Sequence, residues 1–143
     1  MIKQRKKLIF GVLFSLFLFA NCSLLGGNFY SLGVESEYLN ETFANAKQEN
    51  KNVMLVFEAV WCGYCKQLNE NTLANNEVRK TLNRYNVVHI DVDKFPELTD
   101  KFLEKGEGIP RVMIFSSSGD IKEKLIGYYG PNEFNQVLIN NLD

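Results

Sequence analysis

The sequence predicts an α/β fold in which a mixed central sheet carries helices on both faces. Two observations lead there. Strand and helix patterns follow the order helix, strand, helices, strand, helix, hairpin, helix, and one strand candidate is an unbroken apolar run. With 143 residues, 45% hydrophobic and 23% charged, the chain has material for one globular domain and a short appendage. Eleven Phe and six Tyr supply a core without disulfide staples, because each buried aromatic removes roughly 150–250 Å² from water. A formal net charge of −1, with no basic stripe interleaved with aromatics, excludes a nucleic-acid footprint.

Residues 1–21 read as an address ahead of that domain. Lys3, Arg5, Lys6 and Lys7 precede a 13-residue apolar run over 8–20, the layout of a signal peptide. A bilayer-crossing helix takes about 20 residues. Phe19-Ala20-Asn21-Cys22 resembles the lipobox at which bacterial lipoprotein signals are cut. That resemblance implies a lipidated Cys22 and a membrane anchor on the periplasmic side of the bacterial cell envelope. Phe19 and Asn21 depart from the usual Leu and small residue, which leaves simple secretion and an uncleaved anchor open. Cleavage would leave 12 Lys+Arg against 17 Asp+Glu, a net charge of −5. Residues 22–36 are expected to form a tether or a poorly formed first strand, and residues 37–143 the domain.

Within the domain, Leu39, Phe43 and Ala46 recur at helical spacing and predict a surface helix over 37–50. Residues 53–57 (VMLVF) have the pattern of a strand covered on both faces, hence a central one. After Cys62 the chain reads as helix with Leu68 and Leu73 facing inward, then as a further helical stretch over 76–85 through Val78 and Leu82. Residues 86–92 are the next strand. Pro96 opens a helix with Leu98, Phe102 and Leu103 inward, since its missing N–H is no loss in a first turn, and Gly106 and Gly108 are expected to stop it. Strands 111–116 and 121–126 flank the Ser117-Ser118-Gly119-Asp120 turn, a hairpin signal. Gly130-Pro131 starts a last helix using Phe134, Val137 and Leu138.

The three cysteines divide unevenly, with Cys22 alone and Cys62 and Cys65 three residues apart. Residues at that spacing on a first helical turn lie within the ~4.4–6.8 Å that a disulfide needs between Cα atoms. The bond can therefore open and close without moving the backbone. Cys62 falls where the helix begins, and unpaired N–H groups and the dipole there favour a thiolate. Cys62 is the expected attacking thiol and Cys65, a turn further in and shielded, the resolving one. The two are expected to differ sharply in access. A closed zinc site needs four ligands, and only Cys22 and His89 remain, the latter reading as a packed or surface imidazole; no metal is expected. Asp91-Val92-Asp93 does not start a calcium loop, because Phe95 and Pro96 stand where an oxygen ligand and the turn glycine belong.

At Trp61-Cys62-Gly63-Tyr64-Cys65-Lys66 the chain resembles the thioredoxin superfamily, over residues 37–142. It is similar to secreted thioredoxin-like domains fused to bacterial disulfide-reductase membrane proteins. The resemblance implies the thioredoxin fold and a thiol-disulfide oxidoreductase. Trp61, Gly63, Tyr64 and Lys66 would support the cysteines. Gly108-Ile109-Pro110 matches the segment whose proline is cis and packs against the active-site disulfide, so Ile109 would offer its backbone to an extended substrate. The buried Asp that the family often carries six residues before the first cysteine is Val56 here. Glu58, on the same strand face, is either a substitute proton acceptor or a solvated strand-end carboxylate. Gly63-Tyr64 resembles the pair of periplasmic disulfide isomerases, whose dimerisation domain these residues do not supply, so reduction is the expected direction. Implied partners are protein disulfides or dithiols and an upstream thiol-disulfide electron partner, with no cofactor beyond the cysteine pair and a monomeric chain. A lipid-anchored binding module with a static disulfide is the competing reading, and a metal-binding protein the third.

Overall fold

The computed structural model describes residues 34–142, with side chains from 37 onward. The expected signal peptide (1–21), Cys22 and the tether up to residue 33 lie outside the described residues. The elements are α1 (Val34–Glu49), β1 (Asn52–Glu58), α2 (Gly63–Gln67), a π-helical turn (Leu68–Leu73), α3 (Asn76–Leu82), β2 (Tyr85–Asp91), α4 (Pro96–Phe102), β3 (Arg111–Phe115), β4 (Ile121–Ile126) and α5 (Pro131–Asn140). The four strands stand in the order β2-β1-β3-β4, with β1 parallel to β2 and the other neighbours antiparallel. This is the mixed sheet that the element order predicts.

The apolar run of β1 explains its central place, because Val53 to Phe57 are fully buried between two helical layers. Odd positions Val53, Leu55 and Phe57 pack with Leu39, Phe43 and Ala46 of α1, with Leu98 and Phe102 of α4 and with Leu103. Even positions Met54 and Val56 pack with Leu68, Val78, Phe134 and Leu138 from the π-turn, α3 and α5. The period of two thus sorts one strand between two cores. Phe115 makes edge-on contacts with Phe43 at 5.3 Å and with Phe102 at 5.9 Å, which ties α1 and α4 to the sheet.

Four expectations need correction. Helix α1 starts at Val34, inside the segment read as tether, because that reading waited for the first apolar repeat at Leu39. The stretch after α2 is π-helical, with the Ala74 N–H bonded to Asn69 O five residues back. Helix α3 ends at Leu82, which frees Tyr85 to start β2. Helix α4 ends at Phe102, before either glycine, because Leu103 turns extended and buries its side chain. Gly106 instead supplies a positive φ of 91° in the loop that follows. No described helix is long and apolar enough to cross a membrane.

Candidate active site

The site forms where β1 ends. Leaving the sheet after Glu58, the chain turns through Ala59 and enters α2 at Cys62, whose amide N–H donates to Ala59 O. Cys62 is the N-cap of α2, and its sulfur accepts a hydrogen bond from the Cys65 N–H at 3.1 Å. Cys62 and Cys65 are joined by a disulfide, with Cα atoms 5.2 Å apart, inside the range that the three-residue spacing predicts.

Access to the two sulfurs departs from expectation. Cys65 is 2% exposed, but Cys62 is only 7% exposed, because both pack with Ala59, Val92 and Ile109 in a small cluster of their own. What stands in solvent is the rim: Val60, Trp61 and Tyr64 are 91%, 67% and 64% exposed. Trp61 is held despite its exposure, its indole N–H donating to Asp93 Oδ2 at 2.6 Å. Lys66 lies on the outer side of α2, its ammonium 3.9 Å from Glu70. At Gly63 a Cβ would meet nothing within 4 Å, so sterics do not demand glycine there.

The Ile109–Pro110 peptide bond is cis, and Ile109 packs against the cysteine cluster. Pro110 O accepts from the Gly127 N–H, which fixes this loop to the end of β4. Among the described residues the Ile109 N–H and C=O have no hydrogen-bond partner.

Glu58 lies next to the motif and is not an isolated strand-end carboxylate. Its Oε2 accepts from Asn69 Nδ2 at 2.6 Å, and its Oε1 shares a hydrogen bond with His89 Nδ1 at 2.9 Å. The cause is register: Glu58 pairs with Asp91 on β2, so His89 lies two residues back on the same face. Val56, where the family often has its acid, is fully buried in the apolar core. Sequence reasoning missed Asp93, Asn69 and the use of His89, since each acts across a distance that no local pattern encodes. Only the parallel strand pairing could have placed His89 beside Glu58. Among the described residues no group of three or more His, Cys, Asp or Glu stands close enough to hold a metal ion.

The chain is similar to several known proteins. A thiol:disulfide interchange protein, DsbD, of Campylobacter jejuni is 29% identical over 102 residues, which cover 68% of this chain and 18% of that protein. The chain therefore spans less than a fifth of that relative's length. A thioredoxin of Mycoplasmoides gallisepticum is 34% identical over 89 residues, covering 62% of this chain and 83% of that one. For the fold alone, the crystal structure of a disulphide isomerase from Xylella fastidiosa matches with a TM-score of 0.65 at 22% identity, over 83% of this chain and 99% of the other. A family model described as the thioredoxin-like domain matches residues 39–141. The chain belongs to that thioredoxin-like domain family, with its cysteine pair at bonding distance.

Proposed function

We propose that this chain reduces or exchanges protein disulfides in the bacterial cell envelope through the Cys62–Cys65 dithiol, held to the membrane by a lipid on Cys22. The observation that carries the reading is the placement of the Cys62 sulfur, bonded to Cys65, capped by a backbone N–H and flanked by a loop whose Ile109 backbone has no hydrogen-bond partner among the described residues. In the reduced protein that N–H and the helix start favour a thiolate at Cys62. The thiolate attacks one sulfur of a client disulfide, and the leaving client sulfur takes up a proton. Cys65 then loses its proton and attacks the Cys62 sulfur of the mixed disulfide, which releases the second client thiol. Two electrons pass to the client and the Cys62–Cys65 bond closes. An upstream dithiol must return those electrons, and the cycle needs no other cofactor. Run in reverse, the same steps oxidise a client dithiol.

Roles follow from this order. The exposed Val60, Trp61 and Tyr64 form an apolar rim for a client chain. The reading is tested by incubating reduced variants with oxidised client protein. Cys65→Ser is expected to accumulate client adducts that reductant releases, and Cys62→Ser none; equal trapping by both removes the assignment of roles. The anchor is tested separately. Cys22→Ser is expected to abolish labelling by a fatty acid and move the protein out of the membrane fraction, and persistence of both would sink lipidation.

A further inference from the structure

Arg111 is a charge where the fold asks for none. It opens β3, an interior strand, pairing with Phe57 on one side and Ile126 on the other. Its side chain is 3% exposed, and the four residues after it are apolar and buried. A guanidinium at such a position is costly unless it is paired and hydrogen-bonded. Among the described residues its partner is Glu107, with Nη1 donating to Oε1 at 2.9 Å, while its Nε–H is buried without a partner. An apolar side chain would serve the core better, which points away from stability as the reason for the charge.

The partner explains what the pair achieves. Glu107 lies four residues earlier in a stretch that is neither helix nor strand, and its other oxygen accepts from the Glu104 backbone N–H at 3.0 Å. The Glu107 N–H in turn donates to Glu104 O. One carboxylate therefore bridges the start of the loop to the first residue of β3, and between them hang Gly108, Ile109 and cis-Pro110. The Glu104 N–H first, and the Arg111 guanidinium as well, hold the Glu107 carboxyl below the usual carboxylate range against its partial burial. The bridge thus stays charged at neutral pH.

We propose that Glu107 and Arg111 are positioning residues for protein substrates: their ion pair sets the height of the unpaired Ile109 backbone above the disulfide. This rests on the thiol-disulfide reading given above. The pair acts through the loop and touches neither sulfur, so it governs how an extended chain docks, not the reactivity of Cys62.

The test uses the full chain and two probes. One is a synthetic peptide carrying one mixed disulfide with glutathione, turned over with dithiothreitol as the dithiol that returns electrons. The other is the small aromatic disulfide 5,5′-dithiobis(2-nitrobenzoate), mixed once with the chain after it has been reduced and freed of dithiothreitol. Glu107→Gln and Arg111→Met are each expected to raise KM for the peptide about tenfold, since a displaced Ile109 backbone loses its hydrogen bonds to the docked chain in ground state and transition state alike. The peptide kcat and the rate with the aromatic disulfide should stay within about twofold, and the double variant should equal the worse single one. Glu107 is partly solvent-exposed, so Glu107→Gln keeps the test open if Arg111→Met folds poorly. Unchanged peptide KM in Glu107→Gln, or a parallel loss with both probes, overturns the proposal while leaving the oxidoreductase reading in place. A wild-type chain that turns over neither probe defeats both.

Discussion

The two ends of β1 both carry polar side chains, and they put them to opposite use. At the start, Asn52 is 3% exposed, and its amide donates to Asn141 O at 2.6 Å, which ties the end of α5 to the sheet. At the finish, the Glu58 side chain is 21% exposed and divides its carboxylate between Asn69 and a half-exposed His89, beside the turn that leads to the disulfide. Water makes the difference. Where it is excluded, a polar group is bound to a single partner and acts as a staple, because leaving it unpaired costs about 1–3 kcal/mol. Where it enters, a carboxylate can change partner without unfolding anything.

Several substitutions break or sharpen this contrast. Between the two ends, Phe57→Ala should have the largest effect on stability, about 3–5 kcal/mol by denaturant unfolding, since the ring is fully buried beside Leu55 and Phe102. Asn52→Ala should cost about 1–3 kcal/mol and leave the rate of disulfide exchange untouched; a fall in that rate would show that the staple also shapes the site. Glu58→Gln should shift stability by less than about 1 kcal/mol, yet slow the step in which Cys65 resolves the mixed disulfide and alter its pH profile. Unchanged kinetics in stopped-flow mixing would reduce Glu58 to a strand-end anchor like Asn52.

These contrasts also mark how far the sequence could be read. Strand β1 was legible because a run of five apolar residues has few other places to go, and α5 and the β3–β4 hairpin because Gly130-Pro131 and Ser117-Ser118-Gly119-Asp120 are local signals. The cysteine pair was legible for the same reason, its geometry being set within one turn. The π-turn was not, since the slip from four-residue to five-residue bonding leaves the order of apolar positions nearly intact; Leu68 and Leu73 face the core as the helical reading expects. The partners of Glu58 were hidden because Asn69 and His89 lie 11 and 31 residues away. Arg111 was hidden in a different way. The strand reading over 111–116 does not say where its charge goes, and only the structure shows it turned inward onto Glu107.

The outer strand β4 has a consequence of its own. Its exposed ends, Ile121 and Ile126, are separated by Lys122, Glu123, Lys124 and the buried Leu125, and among the described residues the strand forms one border of the sheet. An unguarded border of this kind invites a second copy to extend the ladder. Here each added strand must crowd and partly dehydrate two lysines, which disfavours growth from that side. Many copies can then sit shoulder to shoulder at high local concentration without seeding a fibre.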